Sequence, residues 1–161
     1  LIPFIKKLPD EYKLIIAGDD TSAYAGKIKK LVKQNSLSGR VIMPGQISGE
    51  DKFWLLKNCE AVLFPSKYEG MGIPPVEAMR FGKPVFASKY SSIPEICEDK
   101  AYYWENTNPE YMKDFFLRNI KSFYSDNTNS EILKKHSEKF MWSKNVEEYL
   151  KLFKTVLEIK T

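Results

Sequence analysis

The sequence predicts a doubly wound α/β domain, a mostly parallel sheet with helices on both faces that ends in carboxy-terminal helices. Three observations carry that prediction. Short apolar runs alternate with stretches of helical periodicity, the signature of βα units. The first four runs are cut off by glycine, proline or serine, residues that break strands and open loops. The runs are continuous in hydrophobicity, as expected of strands covered on both faces.

The first strand is expected over Tyr12 to Ala17, stopped by Gly18-Asp19-Asp20. Ile28, Leu31 and Val32 then recur at helical spacing. A second strand, Val41 to Met43, is stopped by Pro44-Gly45. Ser48, with Asp51 three residues on, reads as the capping pair of a second helix whose apolar side is Phe53, Leu55 and Leu56. The third strand, Ala61 to Phe64, ends at Pro65-Ser66, and a helix from about Pro75 to Phe81 stops at Gly82. Val85 to Ala87, closed by Ser88, is the fourth strand, and Ala101 to Trp104 is a weaker last one. Beyond Pro109 the pattern is helical. Met112, Phe115, Phe116, Ile120 and Phe123 form one face, Ile132 and Leu133 belong to another segment, and Ser143 opens a last helix carrying Val146, Leu150, Phe153 and Leu157. These stripes are expected in the core, with a polar break from Ser125 to Ser130. In open α/β sheets ligands bind beyond the carboxyl ends of the strands, so the loops that start at Gly18, Pro44, Pro65 and Ser88 are the functional candidates.

The 161 residues suit a single domain, 1–161. Such a chain buries about 70% of its unfolded surface. With 43% apolar and 14% aromatic residues it reads as a packed globule, not a disordered tail. The net charge of +4 is mild, and Lys27, Lys29, Lys30 and Lys33 are spread over a helix without forming a dense block. No nucleic-acid partner is therefore expected, whereas peripheral contact with an anionic membrane is compatible with the charge. No apolar run approaches the roughly 18 residues of a membrane span, and the start lacks a signal-peptide pattern, so a soluble cytoplasmic protein is expected. Cys59 and Cys97 form no CxxC pair and no Cys/His cluster, which favours a reducing compartment without structural zinc. His136, the only histidine, lies in a lysine-rich helical stretch, which argues against a Ser-His-Asp triad or a histidine metal site. Any catalysis then rests on carboxylates, backbone dipoles and lysines.

The run Glu69-Gly-Met-Gly-Ile-Pro-Pro-Val-Glu77 places two carboxylates around a glycine-bracketed turn. Gly70 and Gly72 let backbone N–H groups approach a ligand, and Pro74 or Pro75 fits a helix start, where a missing N–H costs nothing. The helix end then presents free N–H groups and roughly half a positive charge, a natural site for phosphate. Glu77 is expected in the first helical turn, where it either accepts hydroxyl hydrogen bonds or simply complements the helix dipole.

These residues belong to an ordered set: Leu14-Ile-Ile-Ala-Gly18, Val41-Ile-Met-Pro-Gly45, Phe64-Pro-Ser66 with Glu69 to Met79, Gly82-Lys-Pro-Val85, Pro94-Glu95 and Phe140-Met-Trp-Ser143. In that order, over nearly the whole chain, it resembles the carboxy-terminal, Rossmann-like donor domain of retaining glycosyltransferases of the glycosyltransferase B fold, family 4-like. The resemblance implies that Glu77 binds the ribose hydroxyls of a nucleoside-diphosphate sugar. Glu69, the candidate catalytic residue, would lie near the donor sugar, with neither glutamate required as a general base. Met71, Gly72 and Ile73 would approach the sugar and diphosphate, and Gly45, Gln46 and Ile47 would border the base. It further implies retention without a bound metal, with which the absence of an Asp-x-Asp element is consistent, and no cofactor beyond the donor substrate. Family domains begin with a central strand and a basic turn, and here Leu1 falls inside the helix that follows. The expectation is a domain lacking that first strand, and lacking the amino-terminal domain that meets a glycan or lipid-linked acceptor. Ser91-Ser92 replaces the Gly-Gly of many members and resembles bacterial mannosyl- or rhamnosyltransferases of surface polysaccharide synthesis, at the inner face of the membrane. The two serines either bind donor hydroxyls or cap the helix containing Glu95.

Two other classes compete. A noncatalytic nucleotide-sugar-binding or scaffolding module would use the same residues. A receiver-like regulatory domain is suggested by Asp19-Asp20 and Lys83-Pro84, but Lys83-Pro84 precedes its strand, on the wrong sheet edge, and no acidic residue follows Phe64.

Overall fold

The structure, a computed structural model, describes residues 1–158. A short helix α1 (Ile2–Ile5) leads to β1 (Leu14–Ala17), α2 (Ala23–Gln34), β2 (Val41–Gly45), α3 (Gly49–Asn58) and β3 (Val62–Phe64). Then come α4 (Ile73–Arg80), β4 (Val85–Ala87), α5 (Ile93–Cys97) and β5 (Tyr102–Tyr103). Three helices close the described chain, α6 (Pro109–Ser125), α7 (Thr128–Ser137) and α8 (Trp142–Glu158). All strand pairs are parallel: β1 with β2, and β3 with β4 with β5. Strands and helices alternate as the sequence predicts, and the fold is the expected Rossmann-like α/β architecture.

The sheet, however, is divided. β1 and β3 do not pair, and between them lies a cleft of about 640 Å3 lined by Leu14, Ile15, Ile16 and Ala17 on one side and Ala61, Val62 and Leu63 on the other. Burial follows from the division. β4, flanked on both sides, has all three residues at 0% exposure, whereas Ile15 and Ile42 on the two-stranded sheet are 43% and 44% exposed. Continuous hydrophobicity therefore marks strands buried on both faces only for β4.

β1 also starts two residues later than the apolar run. Tyr12 donates its N–H to the Pro9 carbonyl in a turn, and its own carbonyl accepts from Arg40 Nε at 3.1 Å. The same guanidinium reaches the Leu8 and Pro9 carbonyls and the Asp10 carboxylate, so that one side chain fixes the turn between α1 and β1.

Phe86 sits at the centre of one core cluster with Phe4, Trp104, Met112, Phe116 and Ile120, while Met79, Val85, Ile93, Phe123 and Leu133 form a second. The predicted face of α6 is thus buried. The apolar stripe of α8 is not: Val146, Leu150, Phe153 and Leu157 are 47–66% exposed, because no described element packs over them. Helical periodicity gives an apolar face but does not name what covers it.

Lys7, just beyond α1, and Lys113 on α6 both pair with Glu110, at 2.6 and 2.8 Å. Their hydrogen bonds, that of Lys113 first, hold the Glu110 carboxyl down at about 2. A carboxyl depressed in the folded state stabilises above its unfolded value, near 4.3, and that contribution fades as pH falls toward 2. The Tm is expected to drop between pH 5 and 2 less steeply in Glu110→Gln than in the wild type, as read by circular dichroism melts at each pH.

Gly82 ends α4 at φ +66°, donating its N–H to the Met79 carbonyl while Lys83 donates to Ala78. A Cβ here would lie 3.1 Å from both Ser130 Cβ and Lys134 Cε and closer still to the Ser130 hydroxyl, on α7. Gly82→Ala is expected to destabilise by about 1–3 kcal/mol in urea unfolding, through the left-handed backbone and the crowding of α7. Adding Ser130→Ala should recover only the part of the crowding that the hydroxyl causes.

Candidate functional site

Three loops at the carboxyl ends of the strands build the candidate site. After β3 the chain leaves through Pro65 and turns back at Gly70 to Gly72. Ser88, at the end of β4, holds this turn twice: its N–H donates to the Phe64 carbonyl and its hydroxyl to the Ser66 carbonyl. Gly72 then caps α4 at φ +68°, ψ +51°. A Cβ there would meet nothing nearer than 3.9 Å, so the glycine serves backbone conformation and not space.

The helix starts at Ile73, two residues before the predicted Pro75, since φ > 0 at Gly72 already breaks the preceding extended chain. One consequence is a correction: Glu77 falls in the second turn of α4, not the first, so dipole complementation is not its explanation. A second concerns the donors. Pro74 and Pro75 carry no N–H, which leaves Met71, Gly72 and Ile73 to supply the backbone donors of this turn. Met71 and Ile73 are exposed, and Gly72 is buried.

Glu77 is partly buried and accepts a 2.6 Å hydrogen bond from Lys52 Nζ on α3. The two helices are further tied by the Phe53 and Phe81 rings, 6.0 Å apart. The α3 start is fixed as predicted: Ser48 Oγ accepts from the Asp51 N–H and donates to the Asp51 carboxylate.

Glu69 is held by its backbone. Ser91 Oγ accepts from the Glu69 N–H at 3.2 Å and donates to the Glu69 carbonyl at 2.7 Å, and Ser92 Oγ donates to the same carbonyl at 3.2 Å. Ser91 takes a left-handed φ of +58° to do so. The capping alternative for the serines fails, because Ser92 stands at the α5 N-cap without a side-chain cap bond. The Glu69 carboxylate itself accepts no hydrogen bond among the described residues.

Gly45, Gln46 and Ile47 follow β2, with Gly45 buried, Gln46 exposed and Ile47 between. Gly45 is at φ +79°, and a Cβ on it would meet Asp20 Oδ1 at 3.1 Å. Asp20 is in turn bound by Lys29 at 2.6 Å, and the Gly45 carbonyl accepts from the Gly18 N–H at 2.9 Å. The loops after β1 and β2 are therefore one unit, and the acids Asp19 and Asp20 are spent on Thr21 and Lys29.

The predicted residues lie on loops and a helix start beyond the strand ends and line no common cavity. Of them only Ile47 lines the cleft between the sheets, and none lines the cavity of about 240 Å3 at the ends of β3 to β5, where the buried Trp104 Nε1 has no partner. Lys52 and the serine clamp on Glu69 were not assigned from sequence; each lies on a different βα unit from its partner, so no local spacing marks it. Elsewhere, burial pushes the Cys97 thiol up to about 11 and raises that of Cys59, which leaves neither as a nucleophile at neutral pH. His136 Nε2 lies 2.8 Å from the Ile96 carbonyl, an acceptor only, so that nitrogen carries a proton and ties α7 to α5. Among the described residues no cluster of acidic, histidine and cysteine side chains could hold a metal, and no helix is long and apolar enough to cross a membrane.

Parallel strands with a glycine turn and a helix N-terminus at their carboxyl edge define a doubly wound α/β domain of the class that takes ligands at the strand ends. Comparison with known proteins is more specific. The chain belongs to the glycosyl transferases group 1 family, which it matches over residues 1–140. It is 28% identical over 159 residues to the serotype-specific mannosyltransferase WbdA of Escherichia coli, spanning 94% of this chain and 19% of that one. An uncharacterized glycosyltransferase of Methanocaldococcus jannaschii is 31% identical over 155 residues, 95% of this chain and 43% of its own length. The chain therefore spans less than half of either relative. In fold it resembles sucrose-phosphate synthase of Thermosynechococcus elongatus (TM-score 0.84, 20% identity, 98% of this chain and 41% of that one). It also resembles Anabaena HepE, solved in complex with UDP and glucose (TM-score 0.68, 21% identity, 86% and 38%).

Proposed function

We propose that residues 1–161 form the donor-binding domain of a retaining, metal-independent hexosyltransferase. It would take a mannose- or rhamnose-like sugar from a nucleoside diphosphate and pass it to a glycan or lipid-linked acceptor held by another domain, in surface polysaccharide synthesis. The observation that carries the reading is the turn at Gly72, which starts a helix at Ile73 beyond the strand ends and brings Glu77 one turn into it. The family match, the mannosyltransferase relatives and the nucleotide in HepE support it.

The chemistry follows from those groups. Breaking the bond between the anomeric carbon and the diphosphate oxygen leaves positive charge on the sugar and negative charge on the departing phosphate. N–H dipoles at Met71, Gly72 and Ile73 stabilise the latter, and no proton need reach a glutamate. Glu77 accepts from the two vicinal ribose hydroxyls, Glu69 stands by the sugar, and Gly45, Gln46 and Ile47 border the base. The acceptor side belongs to another domain. Reaction takes place in the cytoplasm, with peripheral contact at the inner face of the membrane.

Saturation-transfer NMR or calorimetric titration with UDP-, GDP-, ADP- and dTDP-sugars tests the reading. Binding of one donor class that depends on Glu77 supports it, and no binding to any of the four by a protein that carries the family's first strand and basic turn overturns it.

A further inference from the structure

Glu77 is not a free carboxylate. Lys52 Nζ lies 2.6 Å from Oε1, whereas Oε2 accepts no hydrogen bond among the described residues. The lysine is well placed to be a fixture. It sits one turn into α3, whose start is locked by the Ser48–Asp51 cap, and its neighbour Phe53 packs on Phe81, the residue that follows α4. Lys52 and Glu77 side chains are 43% and 23% exposed, so the pair stands at the rim, where water and ligand both reach it. An ion pair this wet contributes little to folding. Its position suggests another use: α3 follows the loop proposed for the base, and α4 follows the turn proposed for the diphosphate.

We propose that Lys52 is a positioning residue for the donor. Its ammonium fixes the Glu77 carboxylate through Oε1, leaves Oε2 and one Oε1 lone pair for a ribose diol, and offsets a negative charge that would otherwise repel the neighbouring diphosphate. A fixed carboxylate loses less freedom when the diol binds, which is preorganisation by an ion pair. The inference rests on the donor-binding reading and assigns a residue that reading leaves out.

The test is a double-mutant cycle on the intact protein, titrated with whichever UDP-, GDP-, ADP- or dTDP-sugar binds the wild type. Lys52→Met should weaken binding roughly 5- to 10-fold, the loss of about one charged hydrogen bond, and Lys52→Arg should stay within about 2-fold of wild type. In a Glu77→Gln background Lys52→Met should cost less than about 2-fold, since the lysine then has no carboxylate to fix. Tm should be the same for all variants, which separates positioning from a structural role. Unchanged binding in Lys52→Met, failure of arginine to rescue, or an equal loss in both backgrounds overturns the proposal. Loss of binding in Glu77→Gln with none in Lys52→Met sinks the lysine alone, whereas a wild type that binds no donor removes the donor reading and this role with it.

Discussion

Glu77→Ala is expected, on the proposed donor-binding reading, to weaken binding of the nucleoside-diphosphate sugar by about 30- to 1000-fold. Two hydroxyls donating to one carboxylate form two charge-assisted hydrogen bonds of about 1.5–3 kcal/mol each. Their combined loss, discounted because the rim is wet, is about 2–4 kcal/mol. Stability should barely move, because the Lys52–Glu77 pair is partly exposed and contributes at most about 1 kcal/mol to folding. Calorimetric titration measures the first quantity and a thermal melt the second. A variant that binds as the wild type does would remove Glu77 from the site, and one that loses binding and several degrees of Tm together would make its role structural. The contrast with Glu69 is informative, since that residue is held by its backbone and its carboxylate accepts no hydrogen bond among the described residues.

Phe86→Ala is expected to lower unfolding free energy by about 3–5 kcal/mol, a large share of the 5–15 kcal/mol that holds a typical domain together. Phe86 is fully buried, and its ring meets four others: Phe116 at 4.8 Å, Tyr102 at 5.0 Å, Trp104 at 6.1 Å and Phe115 at 6.2 Å. One side chain therefore pins β4 to β5 and to α6. Truncation leaves a cavity that those rigid rings fill poorly, whereas Phe86→Leu keeps most of the volume and should cost much less. Urea unfolding measures both. The change should also reach the candidate site, because two residues beyond Phe86 the Ser88 hydroxyl and N–H anchor the loop that carries Glu69. Weaker donor binding in Phe86→Ala, with Phe86→Leu unaffected, is the expected companion result.

Much of the fold is legible in local sequence. Apolar runs ended by glycine, proline or serine locate the first four strands, a weaker run locates the fifth, the Ser48 cap locates α3, and Gly82 locates the end of α4. The errors cluster where the local signal is ambiguous. Tyr12 extends an apolar run, but its backbone groups go to Pro9 and Arg40, so β1 begins at Leu14. Two prolines suggested a helix start at Pro75, yet Gly72 had already set it earlier. The stripe on α8 reads as core by periodicity and is exposed in the described structure.

The sequence by itself determined the order of the βα units, the glycine-bracketed turn and the chemical types of its two glutamates, because strand runs, caps and left-handed glycines are set by neighbours along the chain. Tertiary structure decided what those glutamates touch. Lys52 reaches Glu77 across 25 residues, and Ser91 grips Glu69 across 22. Those contacts depend on how one helix or loop lies beside another, and the cleft between β1 and β3 depends on which strands share a sheet. Periodicity records which residues seek burial or a turn, and only packing assigns them their partners.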